Sequence, residues 1–297
     1  MSAAIPFNGK VLDPSNILLG EGPTYDPATD TAYWFDILGA ELHELSLSTD
    51  KKTVHSLPAM SSVFARIDGD QQLVVSEHGL YIRDFRSGAL ALATPIEQDR
   101  PDMRSNDGRV HPCGALWFGT MKKGQEGRKG AGTIYHVAQG KVTELFPKIS
   151  IPNGICFSPD GSVGYFVDTM ENRYFRVMLD PATGLPLGEP QIFVDEAGQQ
   201  GGIDGSVCDA EGSIWNAHWG VGEVHRYSPN GERTAIYKLP ANMTTCPAFI
   251  GKQADRLLVT SASEGLDEAG LKADPEAGYT YELGITVRGV FDSAYRL

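Results

Sequence analysis

A polar side chain recurs at a single phase of a long repeat, and few folds allow that. Glu21 is followed five positions later by Asp26 and six later by Pro27, with the run Tyr33-Trp34-Phe35 beyond. Asn106 stands at the same offsets from His111 and Pro112, ahead of Leu116-Trp117-Phe118. Asn153 keeps them from Ser158 and Pro159, ahead of Tyr165-Phe166-Val167, and Asp204 from Asp209 and Ala210, ahead of Ile214-Trp215. Four metal-competent side chains therefore occupy one equivalent position in four copies of one unit. Repeats stacked around an axis carry equivalent positions to one place in space, so these distant residues are expected to cluster.

The turns that separate the strands set the period. Asp26, Asp68, Pro112, Pro159, Asp209 and Lys252 mark successive turns at intervals of 42, 44, 47, 50 and 43 residues. Short strands at a period in the mid-forties, punctuated by Gly, Asp and Pro, predict an all-β, six-bladed β-propeller of four-stranded blades. A β-sandwich gives no reason for polar residues to return at one phase, and no helical periodicity of convincing length is present. The 297 residues are read as a single propeller domain, 1–297.

In a propeller the first strand of each blade lines the central channel, which places Glu21, Asn106, Asn153 and Asp204 around one of its ends. Two carboxylates left uncompensated there are costly, and a divalent cation is the usual remedy. The carboxylate and amide oxygens form an all-oxygen set suited to Ca2+, Mg2+ or Mn2+, with Zn2+ tolerated but not selected. For each residue singly, the competing reading is an Asx turn at the start of a strand. The shared phase of all four favours a site.

A net charge of -13 leaves no basic patch for nucleic acid or an anionic membrane, so a small molecule is the easier ligand. The opening Met1-Ser2-Ala3-Ala4-Ile5-Pro6-Phe7-Asn8 has neither a basic nor an apolar signal region, and no apolar run approaches the roughly 20 residues of a membrane span. A cytoplasmic monomer or small homo-oligomer is expected. Cys113, Cys156, Cys208 and Cys246 lack metal-ligand spacing and read as free thiols. No Gly-x-Ser-x-Gly elbow is present, and no histidine pairs obviously with a Ser or Cys. His218 is expected to be structural, and Trp215 and Trp219 to pack within a blade.

Gly20-Glu21-Gly22-Pro23, Arg104-Ser105-Asn106-Asp107-Gly108, Trp117-Phe118-Gly119-Thr120-Met121, Pro152-Asn153-Gly154, Ile203-Asp204-Gly205 and Asp274-Pro275-Glu276-Ala277-Gly278 together resemble the regucalcin/gluconolactonase (senescence marker protein) family. The likeness runs from about Leu19 to about Gly278, in family order. It implies hydrolysis of a sugar lactone with one divalent metal ion. Glu21, Asn153 and Asp204 would be the metal ligands, Asp204 also the catalytic acid/base, and Arg104 and Asn106 the substrate-binding pair. Of these five, only Arg104 rests on the resemblance alone.

The chain departs from the family after Met121, where relatives carry acidic residues and this sequence reads Lys122-Lys123-Gly124-Gln125-Glu126. Lys122 and Lys123 as substrate contacts would favour an acidic lactone, such as an aldarolactone, over a neutral one. Two other classes remain open on the residues, a metal-dependent esterase or organophosphate hydrolase and a non-catalytic calcium-binding propeller. Asp204 beside the other proposed ligands favours the lactonase.

Overall fold

Runs such as Tyr33-Trp34-Phe35 and Tyr165-Phe166-Val167 are too short for helices and rich in residues that favour a pleated surface. They form second strands, Thr31–Asp36 and Val163–Asp168, buried because each sheet is flanked by two others. The computed structural model describes residues 3–297, which build six antiparallel four-stranded sheets. Each sheet is a blade. The inner strands are Gly20–Asp26, Ser61–Arg66, Met103–Val110, Pro152–Phe157, Gly202–Cys208 and Thr244–Ile250, for blades one to six. Each inner strand touches those of its neighbours, and the first touches the sixth, so the ring is closed. The architecture is the six-bladed propeller expected from the turn spacing.

Both chain ends do work that the repeat does not announce. Blade six supplies only three consecutive strands, and its fourth is Lys10–Asp13 from the opposite end of the chain. This pairing covers an edge that would otherwise be open. Ahead of it, Ile5 N–H donates to Ile236 O at 2.8 Å and Ile5 O accepts from Lys238 N–H at 2.8 Å, which ties the same segment to blade five. The last residues cross the far mouth of the channel. Ala210 N–H donates to Arg288 O at 2.7 Å, Tyr295 N–H to Arg66 O at 2.7 Å and Arg296 N–H to Gly114 O at 3.0 Å, so one segment bonds to blades five, two and three. Within that segment Asp292 pairs with Arg109 of an inner strand at 2.7 Å.

A single helix, Glu268–Ala273, is present among the described residues, capped by Asp267. It is one and a half turns long, too short to leave a periodic signature.

Candidate metal centre in the channel mouth

Every inner strand breaks register with its neighbour just where the polar residue sits. The shifts fall at Glu21/Thr24, Ser61/Val63, Ser105/Gly108, Asn153/Cys156, Ile203/Ser206 and Thr244/Pro247. A bulge turns a side chain out of the alternating pattern, here towards the channel. It also explains the glycine after Glu21 and Asn153. Gly22 has φ +56° and Gly154 φ +60°, the left-handed region that a side chain resists.

Glu21, Arg104, Asn106, Asn153 and Asp204 all line one cleft of about 660 Å³ at this mouth. Lys123 lines it too. Lys122 does not, and its Nζ lies 3.6 Å from Asp102 Oδ2. Lys123 Nζ is ion-paired to Glu77 and donates to Pro101 O at 2.9 Å. The lysines of this loop are thus already committed to protein acceptors. A larger groove of about 870 Å³ lies between the turns of blades four and five, and none of the candidate residues reaches it. Size is therefore a poor guide here, and the smaller cleft is the one with convergent chemistry.

A chain of hydrogen bonds crosses three inner strands and fixes the amides. Arg104 Nη1 donates to Asn106 Oδ1 at 2.7 Å, and Asn106 Nδ2 donates to Pro152 O at 2.9 Å and to Asn153 Oδ1 at 2.8 Å. Asn153 Nδ2 donates to Thr169 Oγ1 at 2.8 Å, and Thr169 gives its own proton to Ile203 O at 2.8 Å. A hydroxyl that has spent its hydrogen can only accept, so the Asn153 amide has one orientation. Its Oδ1 keeps a second lone pair. This is a cross-blade network, in contrast to an Asx turn, in which Asn153 would bond its own backbone.

The two carboxylates have no protein cation in contact, though the Arg104 and Arg109 charges act on Glu21 from farther off. Among the described residues neither Glu21 nor Asp204 forms an ion pair with lysine or arginine. Backbone support is slight: Gly22 N–H donates to Glu21 Oε2 at 3.0 Å, and the Gly205 amide only partly offsets the rise at Asp204. Burial raises the Glu21 pKa to about 8, and the Asp107 charge adds to the rise. Burial also raises Asp204 well above the usual carboxylate range, followed by repulsion from Glu21 and Asp107. A site that must protonate to shed charge is one in which a divalent cation replaces protons. Hard oxygen donors with an oriented amide oxygen beside them fit that ion.

A second donor set lies behind the cleft. Ligand atoms of Glu196, His218 and His225 fall within 4.8 Å of one another, all buried. Tyr227 O–H donates to Glu196 Oε1 at 2.8 Å, so His218 Nε2, at 3.2 Å, donates to the Tyr227 oxygen. That leaves His218 Nδ1 with no hydrogen-bond partner, 3.7 Å from Glu196 Oε2. His218 was expected to be structural and satisfied, and only one of its nitrogens is satisfied. His225 has Nδ1 at Tyr227 Oη and Nε2 at Glu223 Oε2, 3.1 and 2.6 Å away. The imidazoles stack with centroids 3.6 Å apart, and both nitrogens of His225 already have partners. One free nitrogen is a weaker offer to a metal than the oxygen set in the cleft.

The tryptophans divide. Trp215 stacks on Tyr237 and donates to Asp209 at 2.9 Å within its blade, whereas Trp219 lines the cleft. Arg128, Thr169 and Glu264 also line it and were not singled out from the sequence. They sit in loops outside the repeat phase, where only three-dimensional placement reveals them. Three cysteines are buried and Cys113 is half-buried, all of them free thiols.

Comparison with known proteins bears on the family and the fold. A family profile described as SMP-30/Gluconolactonase/LRE-like region matches residues 19–263. A Rhizobium meliloti (strain 1021) protein named "Putative sugar lactone lactonase" is 53% identical over 297 residues, all of both chains. An L-arabinolactonase of Azospirillum brasilense is 36% identical over 264 residues, 88% of this chain and 86% of that one. The crystal structure of a calcium-binding protein, regucalcin, from Agrobacterium tumefaciens str. C58 superimposes with a TM-score of 0.98 at 57% identity, covering 100% of both chains.

Proposed function

Because this chain belongs to the SMP-30/gluconolactonase/LRE-like family, we propose that it hydrolyses a sugar lactone, an aldono- or aldarolactone, to the sugar acid, using one divalent cation held by Glu21, Asn153 and Asp204. The observation that carries the reading is the pair of buried carboxylates without a counter-cation, facing one cleft beside an amide oxygen of fixed orientation.

When bound, the ion would supply Lewis acidity at the lactone carbonyl and charge to offset the developing oxyanion. The chain's own residues do the rest. Asp204 accepts a proton from the attacking water and returns it to the ring oxygen as the acyl C–O bond breaks. Burial, with repulsion from Glu21 and Asp107, raises the proton affinity of that carboxylate, the direction an acid/base group needs. Glu21 and Asn153 hold the ion. Asn106 acts on Asn153, because its Nδ2 donors are taken by Pro152 O and Asn153 Oδ1. Arg104 buttresses Asn106 through Nη1 and has Nη2 to offer to a substrate oxygen. Trp219, with Leu19, Met60 and Met243, gives the cleft an apolar wall.

Acid release from a panel of aldono- and aldarolactones, run beside aryl esters, tests the reading. Turnover of at least one lactone class is expected. Turnover of aryl esters alone would assign the same channel to an esterase, and turnover of neither would leave a binding protein.

A further inference from the structure

The loop after Leu116–Lys122 contributes an arginine to the cleft that differs from the lysines beside it. Arg128 Nε donates to Lys122 O and Gly124 O, each at 3.1 Å, and Nη2 donates to Lys123 O at 2.8 Å. These bonds fold the loop around one edge of the guanidinium and leave Nη1 uncommitted. Among the described residues Arg128 has no carboxylate within ion-pair distance, and neither does Arg104. Both line the same cleft. They are also close enough to act on one another: the Arg104 pKa falls to about 10 through burial, opposed first by the Glu264 charge, with the Arg128 charge adding to the fall and the Glu21 and Asp204 charges opposing it. Two guanidiniums that face one space with no carboxylate in contact can receive an anion between them.

The charge count reaches the same end. Arg104, Lys123 and Arg128 line the cleft with Glu21, Asp204 and Glu264. Lys123 is cancelled by Glu77 just behind it. A divalent ion at Glu21 and Asp204 cancels those two carboxylates. Among the lining charges what remains is a pair of guanidiniums against Glu264, an excess positive charge that a substrate carboxylate neutralises, while the buried Asp107 behind the lining acts on Glu21 and Asp204. We propose that Arg128, together with Arg104, is the receptor for a carboxylate on the substrate, and that the lactones this chain favours are those of sugar diacids. The proposal rests on the lactonase reading for its substrate, though the anion receptor itself does not. It moves the acidic preference from Lys122 and Lys123 to an arginine whose planar fork matches a carboxylate.

The test compares kcat/KM for D-glucaro-1,4-lactone and D-glucono-1,4-lactone in wild type, Arg128→Gln and Arg128→Lys, with calorimetric binding of glucarate and gluconate to each. Wild type is expected to favour the acidic lactone. Arg128→Gln should lower the acid-to-neutral ratio by about ten- to a hundredfold, the worth of charge-assisted hydrogen bonds, and Arg128→Lys should recover part of it. Glucarate should lose its binding advantage over gluconate in Arg128→Gln. A ratio that stays put while both rates fall would make Arg128 a loop brace only and overturn the proposal. Turnover of neither lactone, with Arg128-dependent binding of glucarate retained, would sink the lactonase reading and leave the anion receptor standing.

Discussion

Loading the channel site with metal should expel protons, and the number follows from the burial of Glu21 and Asp204. With its pKa raised to about 8 by burial, Glu21 in the metal-free protein is mostly protonated at pH 7. It must ionise to coordinate, so about one proton leaves from Glu21, and Asp204, raised for the same reasons, adds to the release. Between pH 7 and pH 6 the apparent affinity should therefore fall about tenfold for each proton displaced. The assay is calorimetric titration of metal into chelated protein at pH 7 in buffers of different ionisation enthalpy. Glu21→Gln should reduce the release by about one proton and weaken binding. The stability of the metal-free protein carries the same sign. The folded state holds a Glu21 proton that the unfolded state gives up above its ordinary pKa of 4.5, so stability should fall as pH rises from there towards 8. Release near zero, with affinity flat from pH 6 to 8, would refute the argument that these buried carboxylates form the metal site.

Two substitutions should separate holding the ion from moving the proton: Asp204→Asn keeps an oxygen ligand and should lose turnover by at least about a hundredfold, whereas Asn153→Asp should retain much of the metal affinity. Bound metal and kcat measured on the same samples decide this, and equal, mild effects would remove any separate role for Asp204. At the far mouth, Asp292→Ala strands the buried Arg109 guanidinium, whose pair with Asp292 spans 2.7 Å. Loss of one partner of such a pair costs at most about 3–5 kcal/mol, so thermal unfolding should come several degrees earlier. An unchanged Tm would show that the C-terminal segment is held by its backbone bonds and apolar packing without the ion pair.

What could be read from the chain is what repeats. The turns at Asp26, Asp68, Pro112, Pro159, Asp209 and Lys252 count the blades, and a common phase puts Glu21, Asn106, Asn153 and Asp204 in one cleft. What could not be read lies outside the repeat. Lys10–Asp13 is four residues long, and its place as the outer strand of blade six follows from ring closure rather than from its own pattern. The C-terminal segment has no strand, and it docks through backbone bonds, the Asp292–Arg109 pair and the packing of Phe291 on Tyr25, none of which follows the repeat. Lys122 closes its strand facing away from the cleft, towards Asp102, while Lys123 just beyond the strand lines the cleft but is claimed by Glu77. Asn106 looks like a ligand by phase, and only the orientation of its amide shows that it serves Asn153. Glu196 and His225 join His218 across two blades at positions that share no phase, so no period could unite them.

Titration of metal into chelated protein, with turnover of a sugar lactone and bound metal followed together, tests the central claim most directly. The Glu21, Asn153 and Asp204 centre predicts no turnover without metal and full recovery at one equivalent per chain. Turnover in metal-free protein would contradict it. So would recovery only at a second equivalent that disappears in His218→Ala, which would shift the chemistry to the set of Glu196, His218 and His225.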